Sequence, residues 1–245
     1  MKKEVMLLTG AGQIGMAIAR RMGYGMKIVV GDKRMENAQA VADTMNRAGF
    51  DVLPVEMDLS SRTSILGLIE TAQQYGEMAM LVNAAGVSPS QASVETILKV
   101  DLYGTAVLLE EVGKVIRQGG TGVTIASQSG HRLPALGAEI DAQLACTPTE
   151  ELLNLEVLQP SHIRDTLHAY QLAKRCNVKR VMAEAVRWGE RGARLNSISP
   201  GIIVTPTGTL TSSTGCVGSS IKRCLPSVRR IVPARPTRWR MWLNC

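Results

Sequence analysis

A doubly wound α/β fold, a single domain on a parallel sheet with helices on both faces, is what this sequence predicts. Three observations carry the prediction. Short apolar runs alternate with longer stretches whose apolar residues recur at helical spacing. The first apolar run breaks into a glycine-rich turn that opens a helix. The 245 residues suffice for one large α/β domain and are marginal for two. Hydrophobic residues make up 45% of the chain and aromatics 3%, so the core must be aliphatic.

In chain order, residues 5–9 form a buried strand ending in a Gly turn. Residues 13–22 place Ile14, Ala17, Ile18 and Met22 on one helical face. A second strand covers 27–30, and a helix over 35–48 stops at Gly49. The third strand is 52–57, and the helix over 63–75 closes at Gly76. Strand four is 78–82, followed by a long helical stretch over 94–116. Strand five is 122–126, a helix covers 168–188, and strand six is 194–199. Strands alternating with helices imply a parallel sheet, and right-handed crossovers make the doubly wound form the default. Between residues 130 and 166 the pattern lapses at Pro134, Pro148 and Pro160, with a short helix expected over 150–158. So long a connection implies a lid-like or substrate-binding insertion at 131–166.

Other totals restrict the function. No run of about 20 apolar residues is present to span a membrane, and an acidic residue and a Thr-Gly turn come too early for a signal peptide. The five cysteines, Cys146, Cys176, Cys216, Cys224 and Cys245, have no CxxC pair or framework spacing, which points to inert thiols in a reducing, cytoplasmic compartment. His131, His162 and His168 lack metal-ligand spacing, so no metal is expected. The Met-rich stretches are most simply core filler.

The motifs stand at strand ends. Gly10, Gly12 and Gly15, with Gln13 and Ile14 between them, follow a strand and open a helix. Glycines there let the backbone approach a pyrophosphate, which the helix N-terminus then holds. Asp32 ends the second strand about 20 residues on, where an acid accepts from a ribose 2′-OH. An acid there repels a 2′-phosphate and favours NAD over NADP, while Lys33 and Arg34 directly after it pull the other way.

Further segments resemble the short-chain dehydrogenase/reductase family. Asn83-Ala84-Ala85-Gly86 resembles its Asn-Asn-Ala-Gly element. Asp58-Leu59 stands where the family sets an Asp against the adenine. Ser127-Gln128-Ser129-Gly130 resembles its catalytic Ser segment, and Tyr170-Gln171-Leu172-Ala173-Lys174 matches its Tyr-x-x-x-Lys. The stretch Pro200-Gly201-Ile202-Ile203-Val204-Thr205-Pro206 matches its Pro-Gly segment beside the nicotinamide. The resemblance spans about residues 4–206 and implies a Rossmann fold, NAD as cofactor, hydride transfer between a secondary alcohol and a ketone, and a dimer or tetramer.

The chemistry suits the residue types. Tyr170 and Lys174 are one helical turn apart, and an ammonium beside a phenol favours the phenolate. Such a phenol can exchange a proton with an alcohol or carbonyl oxygen. Ser127, which meets the family's Ser-x-x-Gly spacing, would hydrogen-bond the same oxygen. By resemblance Lys174 also holds the nicotinamide ribose and Thr205 the carboxamide, and Ala84, Ala85 and Ile203 belong to the cofactor-binding set. One departure stands out. The family's Val-Asn-Leu-x-Gly-Thr is here Val100-Asp101-Leu102-Tyr103-Gly104-Thr105. The family's Asn binds a water that relays protons to the Lys, so Asp101 implies a relay with altered pH dependence.

The formal charge of +7 belongs to the tail. Lys222, Arg223, Arg229, Arg230, Arg235, Arg238 and Arg240 lie in residues 207–245, which hold no Asp or Glu; the other 21 basic residues match the 21 acidic ones. Such a tail could bind nucleic acid non-specifically, but it has no reading element, so no nucleic-acid partner is expected. After Pro206 the family pattern stops. With codons read one base earlier, Trp242 becomes Val and Cys245 becomes Leu by the genetic code alone. Permitted choices elsewhere turn Val232 to Cys245 into Arg-Pro-Gly-Thr-Pro-Asp-Glu-Val-Ala-Asn-Val-Ala-Glu-Leu, which resembles the start of the family's C-terminal helix. The sequence thus implies a catalytic domain over 1–206, and an irregular basic tail over 207–245 that a frameshift near Thr207 put out of frame. The last strand and its helix would then be missing or altered, and a dinucleotide-binding protein with impaired catalysis is the alternative reading. The nucleotide sequence is the test: the alternative frame is expected there, and an intact gene without it refutes the frameshift.

Overall fold

The computed structural model describes residues 3–203. Chain contacts divide it between Ser199 and Pro200, and Pro200 to Ile203, the described part of the second unit, form no helix or strand. Thr205 and the tail over 207–245 lie outside the described residues.

Six parallel strands make one sheet in the order β3-β2-β1-β4-β5-β6. They are β1 (Glu4–Thr9), β2 (Lys27–Asp32), β3 (Asp51–Glu56), β4 (Glu77–Asn83), β5 (Thr121–Ile125) and β6 (Arg194–Ile198). The chain winds outward from β1 to β3, returns to β4, and winds the other way. Between the carboxyl ends of β1 and β4 this reversal leaves the crevice where open α/β sheets bind ligands.

Side-chain alternation sorts the core into two layers. Met6, Leu8, Ile28, Val30 and Val82 face Ala19 of α1 (Gln13–Met22) and Val41 and Met45 of α2 (Met35–Asn46). On the other face, Val5, Leu7, Val29 and Leu81 pack on Ile65 and Leu68 of α3 (Arg62–Gln73). The same layer takes in Leu108 and Val112 from α5 (Thr105–Val115) and Trp188 from α7 (Thr166–Glu190). The expected aliphatic doubly wound domain is therefore present, with strand ends displaced by one or two residues from the sequence expectation.

Two stretches differ from the sequence expectation. The long helix over 94–116 is interrupted. A short α4 (Val94–Ile97) leads into a π-helical segment, Leu98–Gly104, before α5 begins. Apolar periodicity does not encode a change from i+4 to i+5 bonding, and such bulges gather at functional sites. Gly104 closes this segment against Leu59, whose carbonyl stands where a Cβ would be. The second difference lies in the insertion. A helix, α6 (Ala138–Cys146), occupies part of the region where the pattern lapses. Of its nine residues only Leu144 is buried, so it leaves no periodic signal. The helix expected over 150–158 is a series of 3-10 turns, Thr149–Asn154, Glu156–Leu158 and Pro160–His162.

The insertion is packed onto the body. Leu144, Leu152 and Leu158 join Leu172, Ala173 and Cys176 of α7 in a third apolar cluster. Asp141 accepts from Arg175 Nε at 3.0 Å and Nη2 at 2.6 Å, and pairs with Lys179 at 3.0 Å. Glu150 pairs with Arg62 at 2.7 Å and accepts from the Tyr103 hydroxyl at 3.0 Å. Cys176, inside this cluster, has its thiol pushed up to about 12 by burial, which makes it inert.

Trp188 is fully buried and donates from its indole nitrogen to the Leu109 carbonyl at 3.1 Å. Gly113 and Gly122 flank it so closely that a Cβ on either would lie within 2.7 Å of the ring. Trp188→Ala should lower stability by about 3–5 kcal/mol, measured as a lower urea midpoint; a loss of less than about 1 kcal/mol would contradict this packing.

Candidate active site

The glycine-rich loop leaves β1 at Thr9. Gly10 has φ +85°, a conformation that favours glycine. A Cβ there would lie 2.6 Å from the backbone of Ala85, so Gly10 lets the β1 and β4 loops touch. Gly15 packs α1 on the strand: a Cβ there would lie 2.8 Å from the Gly10 carbonyl and 2.9 Å from Leu8. Gly12 is different, since a Cβ there would meet nothing within 4 Å. It opens α1 without a side-chain cap. An open glycine at an uncapped helix N-terminus, with Gln13 and Ile14 in its first turn, fits a pyrophosphate.

Asp32, at the end of β2, is tied to this loop. Its Oδ2 accepts from the Ala11 N–H at 2.9 Å and its Oδ1 from the Arg34 N–H at 3.0 Å. One strand further out, Asp58 accepts from the Ser60 N–H at 2.9 Å and hydroxyl at 2.6 Å, and pairs with Lys33 at 2.9 Å. Burial works to raise its carboxyl, but Ser60 and Lys33 outweigh burial and hold it below the usual range. The lysine that follows Asp32 is thus paired with an acid. Leu59 is buried beneath Gly104.

Asn83 ends β4 with its side chain buried. Its Oδ1 accepts from the Thr9 hydroxyl at 2.8 Å, and its amide donates to the Thr105 hydroxyl at 3.3 Å. It joins β1, β4 and α5, and its amide is spent on them. Ala84 donates its N–H to the Thr9 carbonyl at 2.9 Å. Of its partners, Thr9 stood at the end of the first strand and Thr105 closed the Val-x-Leu-x-Gly-Thr motif, but nothing in the sequence showed that Asn83 would join them.

Three of the catalytic candidates, Asp101, Tyr170 and Lys174, meet beside the ends of β4 and β5, and Ser127 stands in the turn that follows β5. Lys174 Nζ lies 3.4 Å from Asp101 Oδ2, donates to the Ile125 carbonyl at 3.4 Å, and stands 5.4 Å from the centre of the Tyr170 ring. Ile125 comes two residues before Ser127. The turn holding Ser127 rests on α7 through Gly130, where a Cβ would lie 2.7 Å from the Arg175 nitrogen. The Ser-x-x-Gly spacing therefore has a packing cause: only glycine lets this turn touch the helix that carries Tyr170 and Lys174. Ser127 Oγ accepts from the Ser129 N–H at 3.1 Å. His131 shares a 2.9 Å hydrogen bond with Ser199 and joins this turn to the end of β6. Pro200, Gly201 and Ile203 are in the second unit, and Thr205 is outside the described residues.

Asp101 and Lys174 form a buried pair, with side chains 0% and 6% exposed. Asp101 Oδ1 accepts from the Val87 N–H at 2.8 Å. A Cβ on Gly86 would lie 3.1 Å from that oxygen and 3.3 Å from Lys174 Nζ, so Gly86 covers the pair. Burial pushes the Asp101 carboxyl up, against the pull of Lys174 and Val87. Burial works to lower the Lys174 ammonium, but Asp101 and Tyr170 outweigh it and hold it up. The two tendencies conflict, because a neutral Asp101 would not hold up Lys174. Geometry favours the ionised carboxylate: Oδ2 makes no hydrogen bond, and its ammonium partner has no lone pair to accept an O–H.

Removing one member of such a pair leaves the other charge buried alone. Lys174→Met should cost roughly 3–5 kcal/mol near neutral pH. With its folded pKa raised above the unfolded value, Asp101 holds its proton more tightly in the folded state. Its stabilising effect is full below the unfolded value and lost as pH rises through the folded one. In the variant the pull of Lys174 is gone, so the carboxyl is raised further than in the unchanged chain, and the deficit should shrink as pH falls from neutral towards the usual carboxylate range, read from urea midpoints. A deficit independent of pH would contradict the buried carboxylate.

Among the described residues no helix is long and apolar enough to cross a membrane, and no group of three His, Cys, Asp or Glu could hold a metal. The family model described as short chain dehydrogenase matches residues 4–138. A short-chain dehydrogenase/reductase of Alternaria brassicicola, bsc3, is 39% identical over 207 residues, covering 84% of this chain and 75% of that protein. D-threitol dehydrogenase of Mycolicibacterium smegmatis is 27% identical over 242 residues, covering 94% and 81%. Among solved structures, a short-chain dehydrogenase/reductase of Serratia marcescens superposes with a TM-score of 0.66 at 21% identity, covering 90% of this chain and 81% of that one. An actinorhodin polyketide ketoreductase solved with NADPH gives 0.68 at 21%, covering 96% and 86%. The structural likenesses show the fold. The family match over more than half of the chain and the fungal relative show more: this chain belongs to the short-chain dehydrogenase/reductase family of oxidoreductases.

Proposed function

We propose that this protein uses NAD(H) to interconvert a secondary alcohol and a ketone, with Tyr170 as the acid/base residue. The observation that carries the reading is Lys174 Nζ, held between Asp101, the Ile125 carbonyl and the Tyr170 ring at the ends of the strands. The bound nicotinamide supplies the hydride acceptor or donor. In alcohol oxidation the Tyr170 phenolate takes the hydroxyl proton while Ser127 hydrogen-bonds the same oxygen and keeps it in line. Lys174 holds positive charge beneath the phenol, and by the family resemblance it also holds the nicotinamide ribose. Reduction runs the same transfers backwards. The name of the threitol dehydrogenase relative supports an alcohol substrate.

The preference for NAD rests on Asp32, whose carboxylate is fixed at the loop by Ala11 and Arg34. Lys33 is turned to Asp58, which leaves the acid to face the ribose. Against this stands the neighbouring ketoreductase fold solved with NADPH. Substrate specificity is assigned to the insertion at 131–166 and to the segment beyond residue 206. A catalytic domain over 1–206 followed by an out-of-frame tail is part of the same proposal. A cytoplasmic homodimer or homotetramer completes the proposal.

The test is fluorescence titration of NADH and NADPH on this chain and on Asp32→Ala, followed by assays of a panel of steroid, polyol, sugar and aliphatic ketones. NADH should bind preferentially, the preference should vanish in the variant, and Tyr170→Phe should lower any turnover by at least about 100-fold. Tighter NADPH binding would overturn the NAD assignment, and NADH binding without turnover of any ketone would select the catalytically impaired reading.

A further inference from the structure

Asp101 and Lys174 lie at the floor of the candidate active site as a closed electrostatic unit. The groups around them are easily named. The π segment contributes Asp101, and α7 contributes Lys174 and the Tyr170 ring. The segment after β4 contributes the Val87 N–H and the bare Cα of Gly86, and β5 contributes the Ile125 carbonyl. Apart from the two members themselves, the ionisable group that acts on the pair among the described residues is Tyr170. Water has little access, since the side chains are 0% and 6% exposed.

A pair that holds its ammonium proton and no other has no net charge, whether that proton stays on Lys174 or moves to Asp101. Only a second proton would make the floor cationic, and it would aim an O–H at an ammonium. An amide at position 101 would leave the ammonium charge uncompensated instead. In surroundings of low dielectric such a charge is felt over several ångströms. The oxidised and reduced nicotinamide cofactors share their adenosine, pyrophosphate and riboses. They differ in ring charge, positive when oxidised and neutral when reduced.

We propose that Asp101 makes the floor of this site electroneutral and thereby favours binding of the oxidised over the reduced cofactor. The proposal rests on the reading of this crevice as a nicotinamide site. Asp101 acts through Lys174 and is a positioning residue: its carboxylate sets the charge that the ring meets.

The readout is the ratio of the NAD and NADH dissociation constants, in which contacts common to both forms cancel. NADH is titrated by its fluorescence and NAD by displacement of NADH, at neutral pH. Asp101→Asn should move the ratio about tenfold towards NADH. Lys174→Met, which leaves the carboxylate alone, should move it the opposite way. The double variant should return close to the ratio of the unchanged chain. Equal weakening of both cofactors in every variant would reduce the pair to a structural role and overturn the proposal, as would an unchanged ratio in whichever single variant folds. Failure of the unchanged chain to bind NADH at all is a different result, and would sink the nicotinamide reading itself.

Discussion

The meeting of β1 and β4 at their carboxyl ends is the constraint on which the rest depends. Gly10 lies so close to the backbone of Ala85 that no side chain fits between them. Asn83 fixes the same junction by bonding Thr9 on one side and Thr105 on the other. Because these groups are buried, leaving any of them unpaired would be costly. The junction holds the crevice at the point where the winding of the sheet reverses. It also fixes the start of α5, and with it the π segment that carries Asp101.

From that junction the site is assembled by close contacts at glycines. Gly86 lies over the Asp101–Lys174 pair, Gly130 lets the Ser127 turn rest on α7, and Gly104 admits the Leu59 carbonyl. At Gly130 and Gly104 the missing Cβ is space already taken by a neighbour, and at Gly86 it would press on the pair from 3.1 Å. Gly12 is the exception, open on its outer side, and it stands where a ligand's phosphates would have to approach. The contrast separates the packed glycines that build the site from the open one that leaves room at the start of α1.

The buried pair is where stability and chemistry meet. Two charges removed from water are tolerated because each offsets the other, and the arrangement gains little stability over an apolar one. Its consequence is electrical: the ammonium beneath Tyr170 is held in place and its charge balanced. The insertion supports the same region from outside, through the Asp141 contacts to Arg175 and Lys179 and through Leu144, Leu152 and Leu158 against α7.

The order of strands and helices, the glycine loop, Asp32 and the Tyr170–Lys174 spacing were legible in the sequence. Each is local, set by side-chain periodicity or by what a tight turn tolerates. The α6 helix was not legible, since a helix that buries only Leu144 has no apolar period to display. Nor was the π segment, whose extra backbone step leaves the composition unchanged. That Asp101 differs from the family's residue could be seen in the chain itself. That it is fully buried, bonded to Val87 and paired with Lys174 was decided only by the tertiary structure, because burial and charge pairing depend on which groups the fold brings together from distant parts of the chain.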